Sequence, residues 1–151
     1  MSRLKAEIVE YLGETQLLAG WPSADLESLA QVVTVRPVEP DETIFEQDEP
    51  GDAMYLLLEG RLSALRGDEP IGDLLEGDHL GEGALVRPGP RRVTVRGADP
   101  STVALLSAEA FVRLGESHPE VHARLLRALL RETASKMSDM EGFLDTPGNI
   151  G

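Results

Sequence analysis

Between Val32 and Leu106 the chain breaks into short β-branched or alternating runs, each closed by proline, glycine or aspartate, and this punctuation limits the fold more than any other feature. The runs are residues 32–38, 43–46, 54–58, 61–66, 71–75, 92–97 and 102–106. Between them stand Pro40-Asp41, Pro50-Gly51-Asp52, Glu59-Gly60, Gly67-Asp68, Gly77-Asp78 and Asp99-Pro100. Runs this short with turn residues at both ends read as strands. Their regular spacing favours an antiparallel barrel or sandwich over parallel βαβ units.

Helical patterns flank this region. Leu4, Ile8, Tyr11 and Leu12 share one face of a helix within residues 2–18, with Gly13 and Gly20 as breakers. A second helix is expected to start at Ser23 as N-cap, with Asp25 and Glu27 in its first turn and Leu26, Leu29, Ala30 and Val33 facing inward. Trp21-Pro22 staples its entry. On the far side, Ser107 caps a helix over residues 108–116, and Ser117-His118-Pro119 restarts a longer one to about Gly142. That helix carries two stripes, Val121-Leu125-Leu129 and Leu126-Leu130-Thr133-Met137-Met140-Leu144. One stripe packs on the strands. The other either joins the same core or pairs with a second copy. The expected plan is a single domain, mainly β with flanking helices: residues 1–31 helical, 32–106 strands, 107–144 helical, and 145–151 a tail.

Residues 81–97 form an island of positive charge. Four of the fourteen basic residues lie there, Arg87, Arg91, Arg92 and Arg96, against one acid, Glu82, in a chain of net charge −13. Gly81 and Gly83 let backbone approach a ligand, and Ala84-Leu85-Val86 is long enough for one helical turn whose N–H groups face an anion. Across the Pro88-Gly89-Pro90 bend, Arg91 offers a forked donor suited to phosphate, while the Glu82 carboxylate accepts from sugar hydroxyls. The pair suits a phosphorylated sugar better than bare phosphate.

The string Gly81-Glu82-x-Ala84-Leu85, followed by Pro90-Arg91-x-x-Thr94-Val95, resembles the phosphate-binding cassette of cyclic-nucleotide-binding domains. These are the regulatory β-rolls of catabolite activator proteins, cyclic-nucleotide-dependent kinases and gated channels. The resemblance implies a double-stranded β-helix, a jelly-roll-like β-roll, with N-terminal helices and a long C-terminal helix. It implies that Arg91 pairs with the cyclic phosphate and Glu82 with the ribose 2′-OH, with backbone N–H groups of Gly83, Ala84 and Arg92 around the phosphate. Gly81, Leu85 and Val93 complete the expected site, and Thr133 or Ser135 on the long helix touches the base. Gly83 stands where the family has Leu or Met, and Arg92 where it often has Ala, Ser or Thr, so the base preference is open between cAMP, the first expectation, and cGMP. The implied partners are the cyclic mononucleotide and a second copy of the chain through the long helix, or an effector protein. Phe143-Leu144-Asp145-Thr146 resembles the hinge before a helix-turn-helix in catabolite activator relatives, which makes the excised sensor half of a transcription regulator one alternative. A β-roll that has lost its ligand and serves assembly is another.

Charge excludes other classes. A net −13 and a pI near 4.5 oppose non-specific binding to nucleic acid or an anionic membrane. The chain has no cysteine, hence no disulfide frame or thiolate metal site, and no run long enough to span a bilayer, so a cytoplasmic location is expected. The acids of residues 39–59 lack the spacing of a calcium loop and read as solvated turns. His118 and His122 lack the Glu of a zinc-protease motif, and Ser63, Ser101 and Ser107 lack a nucleophile elbow. No enzyme, cofactor or resident metal is expected.

Overall fold

The computed structural model describes the backbone of residues 3–144 and the side chains of residues 6–135. Helices α1 (Arg3–Glu14) and α2 (Ser23–Ala30) precede the strands β1 (Thr34–Val38), β2 (Thr43–Phe45), β3 (Pro50–Gly51), β4 (Ala53–Glu59), β5 (Arg61–Arg66), β6 (Glu69–Leu75) and β7 (His79–Leu80). A short helix α3 (Gly83–Val86) then leads into β8 (Gly89–Pro90), β9 (Thr94–Gly97) and β10 (Ser101–Ser107), and the helices α4 (Ala108–Ser117) and α5 (Pro119–Leu144) follow.

The strands form two four-stranded sheets, ordered β1-β10-β4-β7 and β2-β9-β5-β6, with β3 and β8 as a separate two-stranded ribbon. All pairings are antiparallel. Three of them are nested: Thr34 opposes Leu105, Thr43 opposes Arg96, and Pro50 opposes Pro90. The chain thus runs out and returns along itself, the topology of a β-roll.

Alternation along the strands sorts side chains between two cores. Met54, Leu56 and Leu58 of β4 join Ala104 and Leu106 in a cluster with the helices, while Tyr55 and Leu57 join Val95, Val103 and Leu62 between the sheets. The helical layer is built from Leu12, Leu18, Leu26 and Leu29 at one end and Phe111, Leu114, Val121, Leu125 and Leu129 at the other. Ser107 caps α4 as its sequence suggests, its Oγ accepting from the Ala110 N–H at 3.0 Å.

Three local expectations need correction. Ser23 is the first residue of α2, and Pro22 holds the extended N-cap position with no side-chain cap bond. Strand β9 begins at Thr94, two residues after the expected start, because the chain is still leaving the β8 ribbon. On α5, Val121, Leu125 and Leu129 are buried and Leu126 packs partly on the same core, whereas Leu130 is 64% exposed. Both apolar stripes therefore begin on this core, and they diverge at Leu130. The side chains of Met137, Met140 and Leu144 lie outside the described residues.

Candidate functional site

The site grows from a seam between two turns. Asp48 N–H donates to the Arg91 carbonyl and Arg91 N–H donates to the Glu49 carbonyl, both at 2.8 Å. Asp48 occupies the left-handed region at φ 71, one of two non-glycine residues to do so among those described. Aspartate tolerates this conformation better than most side chains. Thr94 extends the seam, its Oγ1 accepting from the Gln47 N–H at 2.9 Å.

From this fixed backbone the Arg91 side chain turns inward. It is 8% exposed, and its Nη2 donates to the Ala53 carbonyl at 2.8 Å. The guanidinium carbon sits 4.2 Å from the centre of the Phe45 ring and 5.8 Å from that of Tyr55. Two glycines make room for it. A Cβ on Gly81 would lie 2.5 Å from Arg91 Nη1, and a Cβ on Gly51 would collide with Nε. Gly81 also has φ +74, a conformation that glycine adopts without penalty.

This cation is incompletely satisfied. Arg91 Nε is buried without a hydrogen-bond partner, and among the described residues no carboxylate lies within ion-pair distance of the guanidinium. Stacking on Phe45 recovers about 0.5–2 kcal/mol. A buried charge that lacks both an anion and a hydrogen bond at Nε is otherwise costly. Burial is also the main reason that the Tyr55 phenol ionises above its ordinary value near 10, with Arg91 and Arg36 opposing the rise.

Next to the guanidinium, Gly81 leads into Glu82, which holds the N-cap position of α3 in helical geometry. The Glu82 carboxylate is partly exposed, its Oε1 3.9 Å from His79 Nε2. The Arg91 guanidinium thus packs against the glycine that precedes Glu82 in the chain. Gly83 is exposed, with nothing within 4 Å of a Cβ placed on it. Ala84 and Leu85 are buried, and Leu85 belongs to the helical core rather than to the surface of the site. The Ala84 N–H, expected to face phosphate, donates to the Gly81 carbonyl at 3.1 Å, and the Leu85 N–H to that of Glu82. Arg92 is exposed and Val93 packs partly between the sheets. Thr133 and Ser135 are not joined to this cluster. Both are exposed on α5, and the Thr133 hydroxyl donates back to the Leu129 carbonyl at 3.1 Å.

Sequence reasoning missed Phe45, Gly51, Ala53, Tyr55 and His79. The sequence held no cue for the rings: two of the five Phe and Tyr residues meet at one arginine through contacts that only the fold creates. Among the described residues no group of three metal-ligating side chains converges, and no helix is long and apolar enough to cross a membrane.

The fold and the site together define a class, a β-roll that carries a buried arginine beside a glycine-marked turn. The comparisons make it specific. The family described as cyclic nucleotide-binding domain matches residues 35–118, more than half of the chain. A cAMP-dependent protein kinase regulatory subunit of Yarrowia lipolytica is 33% identical over 106 residues, covering 69% of this chain and 28% of its own. A Pycsar effector protein of Pseudomonas aeruginosa is 30% identical over 128 residues, covering 83% of this chain and 41% of its own. The crystal structure of a cyclic nucleotide-binding domain from Methylobacillus flagellatus superposes with a TM-score of 0.75 at 19% identity, over 90% of this chain and 79% of that one. The chain belongs to the cyclic nucleotide-binding domain family. It spans well under half the length of these curated relatives.

Proposed function

We propose that the domain is a sensor for a purine cyclic mononucleotide, cAMP before cGMP, with the cyclic phosphate on Arg91 and the ribose 2′-OH on Glu82. The observation that carries this reading is the buried guanidinium without a carboxylate, set beside the Glu82 turn. An anion there supplies the missing counter-charge. A sugar hydroxyl gives the neighbouring carboxylate a donor, where bare phosphate would be repelled. The kinship with a cAMP-dependent kinase regulatory subunit favours adenine.

The ligand-bound state requires Arg91 to trade the Ala53 carbonyl for phosphate oxygens and the α3 turn to release Ala84 N–H. Thr133 or Ser135 meets the base only after α5 moves over the roll, so ligand-dependent repositioning of α5 is the signalling step. The exposed Leu130 gives that helix an apolar edge for a second copy or an effector. We place the protein in the cytoplasm, with no catalytic residue, cofactor or metal.

Titration calorimetry with cAMP and cGMP tests the assignment. Truncating one side of a buried charge pair costs about 2–5 kcal/mol, so Arg91→Ala is expected to weaken cAMP binding by orders of magnitude. Arg91→Lys, which loses the fork, is expected to weaken it too. Parent-like binding by Arg91→Ala refutes the site. No binding and no thermal shift with any cyclic mononucleotide favours an assembly module without ligand; at 100 times its dissociation constant a ligand adds about 2.7 kcal/mol of stability.

A further inference from the structure

His79 is the buried titratable side chain of the site that the reading above leaves without a task. It starts β7, where it pairs with Leu56 of β4. Its neighbour Leu80 points into the core between the sheets, so alternation sends the imidazole to the other face, below the cassette turn. The side chain is 8% exposed, and Nε2 is fully buried with no hydrogen-bond partner. The group it approaches is the Glu82 carboxylate, 3.9 Å away across Gly81. Buried polar atoms are rarely left unpaired, and one aimed at a functional carboxylate gains its partner with a small movement of that carboxylate.

Building on the cyclic-nucleotide reading, we propose that His79 is a positioning residue for Glu82. With its proton on Nε2, the imidazole donates to Glu82 Oε1, and Oε2 is left as the acceptor for the ribose 2′-OH. Closing from 3.9 Å to a hydrogen bond of about 2.8 Å needs only a torsional adjustment of Glu82. A donor on Oε1 fixes which carboxylate oxygen faces the sugar. With it, the acceptor is directed before the sugar arrives. The sugar hydroxyl is where this matters, because a site built around a hydroxyl discriminates strongly against the analogue that lacks it. His79 therefore sets the preference for ribose over deoxyribose without touching the ligand.

The test is the ratio of dissociation constants for cAMP and 2′-deoxy-cAMP, measured by calorimetry on the parent, His79→Leu and His79→Gln. The parent is expected to prefer cAMP. His79→Leu is expected to shrink that preference about tenfold, the worth of one hydrogen bond to a charged group. His79→Gln keeps a donor of similar reach and is expected to retain most of the preference. A purely structural role would weaken both ligands alike and leave the ratio unchanged, and an unchanged ratio in His79→Leu overturns the proposal. If His79→Leu fails to fold, His79→Phe takes its place in the same measurement. A parent that binds neither ligand overturns the reading of the site and this inference with it. A parent that discriminates, beside a His79 variant that discriminates equally, removes His79 alone.

Discussion

Replacing Gly81 with alanine probes the arrangement at its tightest point. The residue sits at φ +74, where an alanine costs about 1–2 kcal/mol relative to an ordinary backbone conformation. Its Cβ would stand 2.5 Å from Arg91 Nη1 and 3.1 Å from the Ala53 carbonyl, the same carbonyl that accepts from Nη2. Backbone on one side and the Phe45 ring on the other leave the guanidinium to yield, and losing a hydrogen bond with a charged donor costs about 1.5–3 kcal/mol. Together these give roughly 3 kcal/mol, which in a domain of this size lowers Tm by about 6–12 °C. Gly83→Ala is the control, since a Cβ there meets nothing within 4 Å. Its better helix propensity is expected to add about 0.5–1 kcal/mol. Differential scanning calorimetry on both variants, followed by cAMP titration, reads the two effects. A Gly81→Ala protein that melts within about 1 °C of the parent would refute the packing of Arg91 against this turn. So would a Gly83→Ala protein that falls as far as Gly81→Ala.

Leu125 is fully buried between α5 and the helical core, so Leu125→Ala is expected to lose about 3–5 kcal/mol in urea unfolding. A loss below about 1 kcal/mol would mean that α5 does not dock there. Since burial raises the Tyr55 phenol above its usual value near 10, the unfolded chain gives up that proton first as pH rises. The contribution is complete below about pH 10 and is lost as pH climbs toward the folded-state value, so Tyr55→Phe should flatten the alkaline fall in urea midpoint above pH 10. An alkaline branch as steep as the parent's contradicts this. Leu130→Glu is expected to leave the unfolding free energy of a monomer within about 0.5 kcal/mol of the parent while dissociating any dimer built on α5. Sedimentation velocity distinguishes that from an oligomer indifferent to residue 130.

The roll was legible in the sequence because its longer strands carry their own alternation and end at proline, glycine or aspartate. The two-residue strands Pro50–Gly51, His79–Leu80 and Gly89–Pro90 were not, since so short a piece has no period to read. Ser23 misled because serine favours a cap wherever a helix starts, while the extended Pro22 had already taken the position. Arg91 and Glu82 were singled out by their spacing and charge. The inward course of Arg91 was not, because it depends on Phe45, Gly51 and Ala53, which lie some forty residues earlier and reach the arginine only after the roll has closed. On α5 the apolar spacing was visible, but which stripe is covered depends on the size of the surface beneath it.

The nesting of β1 with β10, β2 with β9 and β3 with β8 also bears on how the chain folds. Each pair joins segments far apart in sequence, and the innermost pair encloses the shortest loop, so loop entropy favours closure from the Pro50–Pro90 ribbon outward. Contacts of such separation slow folding toward the range of milliseconds to seconds. The Arg91 notch adjoins the innermost of these three pairs, so a ligand held there would brace a contact between segments far apart in the chain.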